Sequence, residues 1–235
     1  MADFSILHLY PQTLRLNGES GNVKALSVRV AAMGLIVKIS YSEVGQALPT
    51  KRPNLVFIGS GTLAGTEVAA EDLLTKSDVI HQWVTKGTKV LAVGSGFDLV
   101  SQGLVLLDGT YIQGLGLTNT THTITSEHLA GEVTLTGGLA GFINSNRLIG
   151  RGTGSFEIGR VSASDMANLV GYVDGYRDGK VMASNLQGPL LPMNPSLADE
   201  LISWIYPKLP KSAELKKFDR LASKARAAIA LRVGR

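Results

Sequence analysis

Lys89-Val90-Leu91-Ala92-Val93-Gly94-Ser95-Gly96-Phe97-Asp98 is the stretch that decides the fold. Four apolar residues run without alternation into a glycine-flanked turn, the pattern of a strand covered on both faces. Asn54-Leu55-Val56-Phe57-Ile58 repeats that pattern and also ends on a glycine turn, Gly59-Ser60-Gly61-Thr62. Between the two lies a stretch from Thr66 to Lys86 that reads as helical and is broken by Gly87, so the pair predicts parallel strands joined by a crossover helix.

The alternation continues outward in both directions. Ser5 to Tyr10 reads as a first strand, Gly21 to Met33 as a helix with Val23, Leu26 and Val30 on one face, and Leu35 to Ser40 as a second strand after Gly34 closes the helix. Past the deciding stretch, a short helix is expected from Phe97 to Gln102. Thr110 to Asn146 is rich in Thr and Gly with β-prone pieces such as Glu132 to Thr136, which predicts antiparallel additions to the sheet. Arg147 to Ser184 is glycine-punctuated loop and strand, and Lys180 to Leu186 reads as a late strand ending in Gln187-Gly188-Pro189. A helix then opens near Pro195, with Asn194 or Ser196 as cap and Leu197, Leu201, Ile202 and Ile205 facing inward.

Composition excludes several classes. The 235 residues contain no cysteine, so disulfides, thiolate zinc sites and a thiol nucleophile are ruled out. With 44% hydrophobic and 18% charged residues and 27 glycines, the chain is globular and loop-rich. No run approaches the roughly 18 apolar residues of a membrane span. Met1-Ala2-Asp3-Phe4-Ser5-Ile6-Leu7-His8 lacks the basic and apolar regions of a secretory signal, so a cytoplasmic location is expected. The net charge of +4 is unevenly spread: Pro207 to Arg235 holds nine Lys/Arg against two Asp/Glu. Leu215, Phe218, Leu221, Ala222, Ala225, Ala228 and Ile229 recur at three- and four-residue steps there, so the segment reads as an amphipathic helix with a solvated basic face. Phe218 is its one aromatic residue, which argues against a nucleic-acid module.

In open parallel sheets, ligands bind beyond the carboxyl ends of the strands. That points to Gly59-Ser60-Gly61 and Gly94-Ser95-Gly96. Ser95 misses the G-x-S-x-G pattern, since Val93 and Phe97 flank it, and neither loop matches a P-loop or G-x-G-x-x-G. Taken alone, each is a sharp turn that needs small residues. His8, His81, His122 and His128 are the only histidines, and the spacing of His122 and His128 around Glu127 is no recognised metal pattern; both read as solvated loop residues. Asp165 and Asp174 are isolated carboxylates, and no metal or cofactor is expected.

Several segments together carry a resemblance. Leu9-Tyr10-Pro11 and Gly18-Glu19-Ser20-Gly21-Asn22-Val23 resemble the opening Tyr-Pro…Gly-Asp-Arg-Gly-Asn segment of class I, cobyric-acid-synthase-like glutamine amidotransferases, in particular the glutamine amidotransferase subunit of lipid II isoglutaminyl synthase. Leu186-Gln187-Gly188-Pro189-Leu190-Leu191-Pro192-Met193-Asn194-Pro195 is similar to that family's Leu-His-Gly-Pro-Leu-Leu-Pro-x-Asn-Pro block. Phe57-Ile58-Gly59-Ser60-Gly61 lies against a Phe-x-Gly-Gly-Gly loop, and Gly141-Phe142-Ile143-Asn144 against Gly-Phe-Glu-Asn. The resemblance implies a glutaminase in which a histidine-activated cysteine attacks the glutamine amide. Ammonia would pass to a Mur-ligase-like partner that amidates D-glutamate in peptidoglycan. It also implies a substrate or oxyanion loop at Gly59, Ser60, Gly61 and Ser95.

The chain departs from the family where the chemistry sits. Against Ala-x-Cys-Gly-Gly-Tyr-Gln it reads Ala92-Val93-Gly94-Ser95-Gly96-Phe97-Asp98, so Gly94 takes the nucleophile position. Gln187 takes the position of the base. Glycine offers no attacking atom, and a carboxamide neither takes nor returns a proton near neutral pH. The sequence therefore predicts a flavodoxin-like α/β domain over residues 1–206 with a basic helix over 207–235 packed on it. Its expected role is that of a catalytically degenerate subunit that binds a Mur-ligase-like synthetase, and glutamine or a related small ligand. The alternative is an active glutamine amidotransferase or amidase that uses Ser95 or another nucleophile and supplies ammonia to lipid II isoglutaminyl synthase; a third reading is a module that binds nucleic acid or an acidic surface through the basic tail.

Overall fold

The computed structural model describes residues 3–154, 156–210 and 212–234. The central sheet is assembled as the apolar runs require. β1 (Asp3–Leu9), α1 (Ser20–Ala32) and β2 (Ile36–Ser42) make the first crossover unit. β3 (Leu55–Ile58), the paired helices α2 (Leu63–Thr75) and α3 (Ser77–Thr85), and β4 (Lys89–Val93) make the second. The short helix α4 (Ser95–Val100) leaves β4 directly. The chain then forms β5 (Gly103–Val105), β6 (Tyr111–Gln113), β7 (Thr120–Leu135), β8 (Leu139–Arg151), β9 (Gly159–Ser164) and β10 (Val173–Asp174). It returns through β11 (Tyr176–Arg177), β12 (Val181–Ser184) and β13 (Leu186–Gln187) to α5 (Leu190–Met193), α6 (Pro195–Ile205) and α7 (Leu215–Val233).

The central order is β11-β12-β4-β3-β1-β2, parallel throughout except for β11 on the edge. Side chains alternate between two apolar layers. Ile6, Phe57, Leu91 and Met182 face α1, α6 and the second sheet, while Leu7, Val56, Val90 and Ala183 face α2, α3 and α4.

The antiparallel strands expected in the middle third are present, but they pair in a sheet of their own, ordered β10-β9-β7-β5-β6 with β8 between β7 and β13. Its spine is a long hairpin of β7 and β8 closed by Thr136-Gly137-Gly138, both glycines at positive φ. Val133, Leu135 and Ile143 bury one face of it against the central sheet's layer, which single-residue patterning could not assign to a partner.

Among the element boundaries that differ from expectation, three have clear local reasons. The first strand ends at Leu9, since Tyr10 turns to φ 56° and donates its hydroxyl to Asp72 at 2.7 Å. The expected helix from Thr66 to Lys86 is two helices: the Thr75 hydroxyl donates to the Asp72 carbonyl at 2.6 Å, and the Lys76 amide turns to the Leu73 carbonyl three residues back at 3.0 Å. The late strand splits at Asn185: the buried Asp174 carboxylate accepts from the Ser184 hydroxyl at 2.5 Å and the Asn185 amide at 2.9 Å, passing the chain from one sheet to the other. The chain makes the opposite crossing beside it, from β10 to β11.

The basic terminal segment forms α7, whose Leu215, Ala222, Ile229 and Val233 are buried. Arg29 ties it to the body, reaching Asp219 of α7 and Asp199 of α6 at 2.6 Å each. Arg232 pairs with Glu132 of β7 at 2.6 Å. Among the described residues, no helix is long and apolar enough to cross a membrane.

Candidate functional site

The two glycine turns meet at the carboxyl end of the central sheet. Gly94 sits at φ 58° and ψ −124°, between the end of β4 and the first turn of α4, and its amide donates to the Ser184 carbonyl at 2.9 Å. This backbone geometry is a sharp strand-to-helix turn in the region that disfavours side chains. Gly96 is required by crowding: a Cβ there would lie 2.5 Å from the Ile58 carbonyl oxygen as β3 passes over it. The Gly61 amide donates to Ser95 Oγ at 2.8 Å, so the second turn is tied to the first.

Gln187 reaches the same point from β13, which pairs with β8 through Gln187 and Phe142. Its Nε2 lies 3.2 Å from where a Cβ on Gly94 would stand. The carboxamide is held from both ends: Asn17 Nδ2 donates to its oxygen, and its own nitrogen donates to the Asn144 carbonyl at 3.3 Å. Both hydrogen-bonding ends of Gln187 are thus occupied by fixed protein groups, and neither can relay a proton. Ser60, Gly61, Gly94, Ser95 and Gln187 line one cavity of about 180 Å³. Gly59 lies behind it, with Glu19 carbons 3.0 Å from where its Cβ would be.

The remaining wall comes from the hairpin, and the sequence reading missed it. Arg147 of β8 faces the cavity, with its Nε donating to Asp98 at 3.0 Å and its Nη1 to Asn146 at 2.9 Å. The other oxygen of Asp98 lies 2.7 Å from His122 Nδ1. His122 is a correction to the expected solvated loop histidine: it is 0% exposed on β7, edge-on to Phe97 with ring centroids 4.4 Å apart. His128 is exposed but also lies on β7 rather than in a loop, 2.7 Å from Asn144 Oδ1. Asn17, at φ 59°, could have been suspected from the Asn17-Gly18 turn pair; nothing local marks Arg147.

Electrostatically, the described residues that line the cavity include Arg147 and His128 and no carboxylate. Glu19 is buried beneath the first turn, accepting from Asn22 Nδ2 at 3.1 Å, with Oε1 unpartnered. Burial pushes its carboxyl up to about 8. Among the described residues, no three His, Asp or Glu side chains group as a metal site. Asp174 belongs to the junction between the sheets and is pushed up by burial. This arrangement can hold a small polar or anionic ligand among fixed amides and a guanidinium; its hydroxyls are those of Ser60, Ser95 and Ser145, and its one imidazole among the described residues is His128, beside Asn144.

This open sheet, with a sharp turn at its carboxyl edge, is similar in fold to glutamine amidotransferases. A crystal structure of a glutamine amidotransferase superposes with a TM-score of 0.55 at 15% identity, covering 85% of this chain and 98% of that one. Sequence comparison narrows the class: the chain is homologous to GatD, the subunit of lipid II isoglutaminyl synthase (glutamine-hydrolyzing). The Streptococcus pneumoniae protein is 24% identical over 205 residues, 85% of this chain and 79% of that protein. The Staphylococcus aureus protein is 23% identical over 207 residues, 86% and 84%. No family model matches.

Proposed function

We propose that the chain is a catalytically silent glutamine-amidotransferase-like subunit, which keeps the pocket as a binding site and acts by associating with a Mur-ligase-like synthetase in peptidoglycan amidation. The observation that carries this reading is Gly94, a residue without a side chain at the turn where an attacking atom is required. Gln187, held by Asn17 and Asn144 where a base is required, supports it. Glutamine or a related small amide or carboxylate is the ligand that the cavity's size and its Arg147 fit. The same reading takes residues 1–206 as the amidotransferase-like unit, with 207–235 laid upon it, acting in the cytoplasm.

The competing reading, an amidase using Ser95, has a buried hydroxyl engaged by the Gly61 amide. Ammonia release from glutamine, measured on the purified chain alone and with a co-purified synthetase, tests the two. Silence in both preparations is expected. Release that vanishes in Ser95→Ala overturns the proposal, and failure to co-purify with any Mur-ligase-like protein removes the partner from it.

A further inference from the structure

The turn at Gly94 has a neighbour that occupies its missing side chain. We propose that Ser60 decides what this pocket can do: its hydroxymethyl group fills the volume of a side chain at position 94, so Ser60 and Gly94 are a coupled pair. A Cβ on Gly94 would lie 2.3 Å from Ser60 Oγ and 2.6 Å from Ser60 Cβ. Both distances are far inside the roughly 3.5–4.0 Å of ordinary carbon contact.

Turning the hydroxyl away would relieve only the first clash, because the Cβ contact depends on the backbone. That backbone is held. The Leu16 amide donates to the Ser60 carbonyl at 2.8 Å, and a Cβ at Gly61 would meet Leu14 Cδ2 at 2.5 Å. The Ser95 amide reaches Ser60 Oγ at 3.4 Å, and Ser60 is 5% exposed. On the opposite side, Gln187 Nε2 at 3.2 Å limits any sideways escape.

This inference rests on the binding reading above and deepens it. The nucleophile position is filled rather than vacant, and the resemblance put glycine where Ser60 stands, so the difference at 60 accompanies the difference at 94. A ligand reaching the turn meets a neutral hydroxyl that can donate and accept. The ligand class is one whose polar tip, carboxylate or carboxamide, hydrogen-bonds that hydroxyl.

The absence of cysteine supplies the probe, since a thiol introduced at position 94 is the only one in the chain. The full chain carrying Gly94→Cys is compared with Ser60→Gly/Gly94→Cys for its alkylation rate by iodoacetamide, followed by intact mass. In parallel, thermal unfolding is measured for Gly94→Ala, Ser60→Gly, the two combined, and Ser60→Ala/Gly94→Ala. Ser60→Gly is expected to speed alkylation about tenfold or more, a coupling within the range of residues in contact. It should also recover part of the loss in Tm that Gly94→Ala causes, the rest being the backbone strain of a side chain at φ 58°, whereas Ser60→Ala, which keeps the Cβ, should recover less.

Equal alkylation rates or additive Tm shifts overturn the coupling. Failure of both position-94 variants to fold in either background overturns it as well, because relief at Ser60 would then not be what position 94 requires. Ammonia release by the natural chain would instead overturn the silent-subunit reading, and it is measured separately.

Discussion

Two regions four residues apart are built in opposite ways. At Gly94 the chain stands at the mouth of a cavity with no side chain, facing the carboxamide of Gln187. At Asp98 it holds a carboxylate between His122 and Arg147, with Asp98 and His122 shut away from solvent. Around Asp98 the residue types of acid–base chemistry are packed against one another; at Gly94 the chain borders the cavity and carries no side chain of its own. Chemical capacity depends on a reactive atom being reachable, and position 94 supplies none.

The largest effect comes from moving chemistry back to the open region. Ser60→Gly/Gly94→Cys/Gln187→His is expected to release ammonia from glutamine at least about a hundredfold faster than the natural chain, a small part of the roughly millionfold that such a unit can contribute. A coupled ammonia assay reads it, and a triple variant as silent as the natural chain would erase the contrast.

Next comes the sealed region. Asp98→Ala leaves His122 and the Arg147 guanidinium without their shared acceptor, and losing one partner of a buried pair costs about 3–5 kcal/mol. Chemical denaturation should show a loss of that order, while Asp98→Asn, which keeps the shape, should lose less.

A smaller effect depends on pH. The Glu19 carboxyl titrates at about 8 in the folded chain against a reference of 4.5, so the unfolded chain binds fewer protons between those values. Stability is unpenalised below the lower value, falls as pH rises through the interval, and levels off above about 8. Glu19→Gln should therefore unfold at higher denaturant than the natural chain at pH 8 and lose that advantage at pH 4.5. Burial holds His8 down at about 4, which weakens the fold as pH falls below 6.5. Both proteins share that term, and it cancels in their difference.

The smallest effect is expected at the surface. Arg232→Gln removes the exposed pair with Glu132 and should shift Tm by about 1 °C or less, with the shift fading in high salt. A larger shift would mean that α7 is held to β7 by charge more than by Ile229 and Val233.

The central sheet was legible because strands buried on both faces are written as unbroken apolar runs, and Leu55–Ile58 and Val90–Val93 are such runs. The second sheet was not, since Thr-rich strands like Thr120 to Ile124 mark strand character and leave the pairing partner open. The split of the helix at Lys76 depends on the Thr75 hydroxyl folding back on the Asp72 carbonyl and the Lys76 amide on that of Leu73, which periodicity does not record. Gly94 and Gln187 were found through local motifs. The contact of Ser60 with position 94 and the arrival of Arg147 from β8 are long-range facts, carried by no spacing along the chain.

The paired crossings at Asp174 and Ser184–Asn185 have a mechanical meaning. One buried carboxylate acts as a rivet through two neighbouring seams, fastening the central sheet to the hairpin sheet where the chain passes between them. Gln187 lies three residues beyond Ser184, and the Gly94 amide is bonded to the carbonyl of Ser184 itself. Opposite walls of the cavity are therefore bolted to the same joint, so prising the sheets apart to widen it would first have to shear that rivet.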